Sequence, residues 1–140
     1  MQINIPISVA ELFDKVSILE IKADEIHDVS RKANVHHELK ILLDIITSHN
    51  LSYFLSTDLY RDLKAINKAL WDVCELRRRF EQEKRFNSEF IEQSRFEYKN
   101  NDRRAAIKVE INQLFGSDIV EVKSYANLSY QQSAKNDSNH

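Results

Sequence analysis

One glycine, one proline and one cysteine occur in the 140 residues, and each scarcity removes a class of protein. A sheet-rich fold of this length needs many turn residues, and this chain has almost none. Glycine-rich phosphate loops are excluded with a single glycine. Cys74 alone can form neither an intramolecular disulfide framework nor a cysteine metal cage, which suits a reducing cytosol. No stretch approaches the roughly 20 apolar residues needed to cross a bilayer. Residues 1–9 have neither a basic start nor a long apolar run, so no secretory leader is expected. Charge of one sign is missing as well: 20 basic and 22 acidic side chains leave a net charge of −2. Bulk attraction to nucleic acid or anionic lipid is therefore absent, and membrane association is not expected.

What is present is helix-forming. The charged share is 30% and the apolar share 42%, a balance that puts many side chains on exposed helix faces. Ser8 stands three residues before Glu11 as a capping box. Leu12, Val16, Leu19, Ala23 and Ile26 then recur at spacings of 4 and 3, one stripe of a helix expected to run to about Val29. Residues 30–34 read as a polar connector, with Asn34 capping a second helix that turns Leu39, Leu42, Leu43 and Ile46 inward and ends near His49. Residues 51–55 are too apolar for a solvated loop and should fold over one end of the bundle.

Ser56, Thr57 or Asp58 caps the third and clearest helix, whose stripe is Leu59, Leu63, Ile66, Leu70, Val73, Arg77 and Phe80. Asn87 or Ser88 opens a fourth, through Phe90, Ile91 and Tyr98 and on through Arg104, Ile107, Ile111 and Leu114 to a left-handed stop at Gly116. A kink or fresh cap is expected at Asn100-Asn101-Asp102, a poor helix interior. Alternation in residues 2–7 and 119–125 predicts short extended segments that could lie side by side. The fold class is all-α: a three- to four-helix antiparallel bundle with short extended segments near both termini, one domain over residues 1–126 and a disordered polar tail over 127–140.

The informative residues flank the stripes. Lys15 and Lys22 border the first seam. Asn67, Trp71, Cys74 and Arg78 border the third, and Asn101, Ala105, Lys108 and Asn112 the fourth. If these rows converge, their cationic and amide donors line a pocket for a small anionic ligand. The competing reading is that Lys15, Lys22 and Lys108 lie over apolar surface and pair with Glu11, Asp14, Glu20 or Asp72 across helix boundaries. Trp71 is more often core than a stacking platform. Arg77-Arg78-Arg79 and Arg103-Arg104 are neutralised by nearby Glu75, Glu81, Glu83 and Asp102, which argues against nucleic acid. His36-His37-Glu38 fails the zinc-protease spacing, because position 41 is Ile, so no metal is expected there. Glu11 with Asp14 could hold magnesium, but such pairs arise by chance on charged helices.

Three stretches together resemble a known family: Glu11-Leu12-Phe13-Asp14-Lys15-Val16-Ser17-Ile18-Leu19-Glu20-Ile21-Lys22; Leu63-Lys64-Ala65-Ile66-Asn67 with Leu70-Trp71-Asp72; and Asn101-Asp102-Arg103-Arg104-Ala105-Ala106-Ile107-Lys108 with Ile111-Asn112. Gly116-Ser117, Ile119-Val120-Glu121 and Lys123-Ser124-Tyr125 complete the likeness over residues 3–125. The chain resembles the domain-of-unknown-function family 6165. The resemblance implies a cytosolic bacterial protein of this size, in some members associated with glycosyltransferase or envelope-polysaccharide functions, and carries no activity or cofactor. The residues matching its motifs include Asp14, Lys15, Glu20, Lys22, Asn67, Trp71, Asp72, Arg104, Lys108, Asn112 and Lys123. Where the family places acids after the Trp-Asp pair, this chain has Val73 and Cys74.

The leading expectation is a helical protein that binds, or binds and transforms, a small anionic or phosphorylated metabolite such as a sugar phosphate or nucleotide sugar. Lys15, Lys22 and Lys108 would supply charge, Asn67 and Asn112 would orient it, Trp71 would wall the site, and Asp72 and Arg104 would border it. The alternative is a non-enzymatic interaction module, a homodimer meeting its copy through Phe86, Phe90 and Phe96. No nucleophile with a local base is readable, so the sequence assigns no reaction.

Overall fold

The computed structural model describes residues 1–123 and is built from four α-helices: α1 (Val9–Glu25), α2 (Val29–Ser48), α3 (Asp58–Gln82) and α4 (Ser88–Phe115), with a 3-10 turn at Ser52–Ser56 between α2 and α3. Described residues include no strand. Each helix begins on a side-chain oxygen: Ser8, Asp28, Thr57 and Asn87 accept from the N–H groups of Glu11, Arg31, Tyr60 and Phe90. Those bonds satisfy donors that the first turn of a helix leaves without partners. Gly116, at φ 59°, ends α4 in the left-handed conformation that a residue without Cβ adopts most cheaply.

Helix α1 is central and packs on each of the other three, while the backbone of α2 approaches only α1 and the 3-10 turn among the described elements. Helices α3 and α4 form an antiparallel hairpin, with Asn67 beside Arg104 and Phe80 beside Phe90. At one end of α1 an aromatic cluster closes the core. Phe13 lies 4.5 Å from Phe54, 6.0 Å from Tyr60 and 5.9 Å from Phe115, centroid to centroid. Phe54 is fully buried, so the apolar 51–55 segment does fold over the bundle end. Its ring joins the turn to three helices, and burial of such a side chain contributes about 2–3 kcal/mol.

Four details depart from the periodic reading. Helix α1 stops at Glu25, four residues early, and the chain reverses through an extended Ile26 rather than at residues 30–34. Asp28 caps α2, so the polar run ending at Asn34 is its first turns; Asp is as good a cap as Asn and comes first in the chain. Helix α4 is unbroken through Asn100-Asn101-Asp102, where the Asn100 and Asn101 amides donate back to the carbonyls of Phe96 (2.8 Å) and Glu97 (3.2 Å), one turn earlier, and cap no new helix. The flanks 1–7 and 117–123 are neither helix nor strand and form no ladder among the described residues. The first residue of α1, Val9, donates its N–H to Ser117 Oγ at 3.4 Å, at the root of the second flank. Tyr125, the end of the expected second segment, and the tail 127–140 lie outside the described residues.

Candidate functional site

Asn101, Lys108 and Asn112 of the expected flanking row and Arg104 of the inward stripe are three or four residues apart on α4 and share the face turned to α1 and α3. Opposite them stand Asp14 and Ser17 of α1 and Asn67 of α3, all buried. Asn67 sits at the junction. Its Nδ2 donates to Asp14 Oδ1 and to Ser17 Oγ, both at 2.7 Å, and its Oδ1 accepts from Arg104 Nη1 at 3.2 Å. Arg104 also donates to Asn101 Oδ1 (2.8 Å), and the Ser17 hydroxyl donates to the Asp14 carbonyl (2.8 Å). Three helices are thus joined through one carboxamide that uses both donors and its acceptor, as an interior that excludes water requires.

One turn along α4, Lys108 carries the charge of the seam. Its side chain is only 9% exposed, and its Nζ lies 2.7 Å from Glu11, 3.6 Å from Asp14 and 2.8 Å from Glu121. Burial pulls the Lys108 ammonium toward its neutral form, but bonds to Glu11 and Glu121 and the charge of Asp14 outweigh it, holding the pKa above the ordinary lysine value. The bond from Lys108 holds the Glu121 carboxyl below the usual carboxylate range against the opposing effect of burial, with Lys123 and Arg104 adding to the pull. Glu11 therefore completes only half of the capping box, because its carboxylate turns to Lys108 instead of back along its own helix.

Asn112, buried like Lys108, makes the last crossing: its Oδ1 accepts from Ala10 N–H at 2.9 Å, at the N-terminus of α1. Its Nδ2 is buried and has no hydrogen-bond partner among the described residues. A donor so placed costs about 1–3 kcal/mol. Asn112 borders a small cavity of about 160 Å³ whose other walls are Ala105, Ala106, Val109, Glu121 and Lys123. The cavity lies between α4 and the chain that leaves it.

Of the eight residues singled out from sequence, Asn67, Arg104, Lys108 and Asn112 come together along this seam. Lys15 is exposed, Lys22 and Trp71 are half-buried, and none of the three has a side-chain hydrogen bond or ion pair among the described residues. Asp72 is exposed and pairs with Lys68 (2.6 Å). Cross-helix pairing to Glu11 and Asp14 describes Lys108, whereas Glu20 is taken by Lys64 (2.8 Å) and by Tyr60 OH (3.0 Å), not by Lys15 or Lys22. Burial, with the adjacent Glu20 charge, pushes the Tyr60 phenol far above its ordinary pKa.

Ser17 and Glu121 were not singled out as site residues, although both lie inside family-like stretches; nothing in either stretch says which partner each will meet. Glu11 and Asp14, read above as a magnesium candidate, direct their carboxylates to the Lys108 ammonium. Chemically the seam is a charge-compensated donor set in which the one internal hydroxyl, Ser17, faces a carbonyl rather than a base.

A family model described as a family of unknown function, DUF6165, matches residues 1–139. No curated protein and no solved structure matches the chain.

Proposed function

The chain belongs to the DUF6165 family, and from the geometry of the α1–α3–α4 seam we propose that it binds a small metabolite through an anionic group, a phosphate monoester or carboxylate, beside Lys108 and Asn112. The observation that carries this reading is the buried, unpartnered Nδ2 of Asn112, a residue that lines a cavity together with Glu121, which is itself bound to a buried lysine. An anion in that cavity would accept from Asn112 and take the place that Glu121 holds on Lys108.

Charge balance supports the exchange. With Glu121 in place, three cations, Lys108, Arg104 and Lys123, stand with three carboxylates, Glu11, Asp14 and Glu121. With Glu121 turned out the same set lacks one negative charge, and an incoming monoanion restores the balance. Volume limits what enters. About 160 Å³ is below the roughly 300–1,000 Å³ of sites that enclose a whole small molecule, so the anionic head is held and the remainder lies outside. Sugar phosphates and nucleotide sugars are ligands of that shape. Asn67 and Arg104 act in this reading by fixing α4 against α1, while Lys15, Lys22, Trp71 and Asp72 make no contact with the anionic head.

Thermal shift with inorganic phosphate, hexose phosphates and nucleotide sugars tests the reading, with Asn112→Asp as the control. That variant keeps an oxygen to accept from Ala10 N–H but replaces the free donor by a negative acceptor. Wild type should be stabilised increasingly, with the logarithm of ligand concentration once that exceeds Kd, and Asn112→Asp should not. Failure of every such anion to stabilise wild type would remove the proposal.

A further inference from the structure

A second feature, which shares only Ala106 with the cavity beside Asn112, lies on a face of the α3–α4 hairpin to which α1 and α2 contribute no residue. A groove of about 410 Å³ runs there between Asp62, Ala65 and Ile66 of α3 and Arg103, Ala106 and Ile107 of α4. The two walls repeat one pattern. Asp62-Leu63-Lys64-Ala65-Ile66 and Arg103-Arg104-Ala105-Ala106-Ile107 each place a charged residue, then Ala three positions on and Ile four positions on, so all three share one helical face. The signs are opposite, acid on α3 and base on α4. Because the helices are antiparallel with Asn67 beside Arg104, the alanines lie at the waist of the groove and Asp62 and Arg103 toward its two ends.

The charges around this groove are paired within the chain: Arg61 with Asp58, Lys64 with Glu20, Lys68 with Asp72 and Glu25. Asp62 and Arg103 enter no ion pair among the described residues. The small side chains of Ala65 and Ala106 are exposed and would let another backbone approach closely, while Ile66 and Ile107 are half-buried and offer apolar surface.

A surface with an acid at one end, a base at the other and the same apolar middle on both walls is complementary to its own image under a two-fold rotation. From this self-complementarity we infer that the occupant of the groove is a second copy of the chain, seated so that Asp62 of each copy meets Arg103 of the other. A net charge of only −2 sets little repulsion against that association. The contact goes beyond the anion-binding reading and uses a different face from the Phe86, Phe90 and Phe96 surface named from sequence, where Phe90 packs edge-on against Phe80 and Phe86 of its own chain.

Analytical ultracentrifugation across micromolar to submillimolar concentrations tests the inference by charge exchange. Wild type should dimerise. Asp62→Arg and Arg103→Asp should each weaken dimerisation at least about tenfold, because each makes both symmetry-related pairs repulsive. The double variant should return most of that loss, since each pair would again join opposite charges, with the signs exchanged between the two helices. Circular dichroism reports whether each variant remains helical. If a single variant fails to fold, Ala106→Cys in a Cys74→Ser background supplies the test, and it should form an intermolecular disulfide on oxidation. A wild-type monomer at all concentrations, single reversals without effect, a double variant no better than the singles, or no cross-link at position 106 would each overturn the inference.

Discussion

The α3–α4 hairpin is held in two unlike ways along its length. Toward one end it shares its interior with α1, and the polar groups enclosed there, Asp14, Ser17, Asn67, Arg104 and Lys108, are bonded to one another across three helices. Over residues 73–99 the named contacts join α3 only to α4. Arg77 pairs with Glu97 and lies 5.6 Å over the Phe90 ring, Phe80 and Phe86 meet Phe90 edge-on at 6.2 and 5.4 Å, and Arg85 lies 4.9 Å over Phe80. Ion pairs there, such as Arg78 with Glu75 and Lys84 with Glu81, join residues three apart in the chain and face water. Exposed pairs contribute about 0–1 kcal/mol each, whereas breaking an enclosed network leaves desolvated charge behind. The difference teaches that a third helix, more than the number of charged contacts, decides where this molecule is hard to open.

The largest effect that can break or sharpen this comparison is in the aromatic cluster. Phe13→Ala should cost about 3–5 kcal/mol of unfolding free energy, because a fully buried ring touching Phe54, Tyr60 and Phe115 leaves a cavity. Phe86→Ala, in the two-helix part, removes a ring that is 55% exposed and should cost under about 1 kcal/mol. Denaturant titration measures both, and equal costs would mean that the hairpin is uniformly held. Next in size is Asn67→Ala. It strips Asp14 of a buried bond and Arg104 of another, and should cost about 3 kcal/mol although it removes little apolar area. Amide hydrogen exchange then gives a smaller, local contrast: residues 73–99 should exchange through an opening of lower free energy than α1, and Asn67→Ala should lower protection in α1 before it alters theirs.

What sequence patterning conveys well is the part of the fold governed by one helix at a time. Leu12, Val16 and Leu19 on α1, and Leu63, Leu70, Val73 and Phe80 on α3, are buried as their spacing requires. Arg77 shares that stripe yet is only half-buried, because its guanidinium turns to Glu97. The start of helix α2 differs from its sequence pattern for a physical reason. It packs mainly on α1 and buries only Val35 and Ile46, so its opening turns look like a solvated connector. In the seam, Asn67, Lys108 and Asn112 are legible as a border of polar residues beside apolar stripes, and Arg104 as a charged member of the α4 stripe itself. Their partners are not, since which carboxylate meets Lys108 depends on where α1 crosses α4 and on the path of the chain after Gly116.

The smallest expected effect concerns that path. Glu121 is 44% exposed on a segment without helix or strand, and Lys108 is the residue that holds its carboxylate below the ordinary value of 4.5. A carboxylate whose folded pKa is depressed contributes stability above its unfolded pKa and loses that contribution as pH falls through the folded value. The contact should therefore be complete at neutral pH and weaken only below about pH 4.5. Carbon-detected NMR of the Glu121 side chain should show a titration midpoint below that of an ordinary glutamate, and Lys108→Met should move it up. Lys108 itself, with a raised pKa, keeps its contribution until pH climbs above the ordinary lysine range, so no loss of the contact is expected on the alkaline side near neutrality. If the Glu121 midpoint were unchanged by Lys108→Met, the segment after Gly116 would be held by something other than this ion pair, and the wall of the cavity beside Asn112 would have to be assigned to other residues.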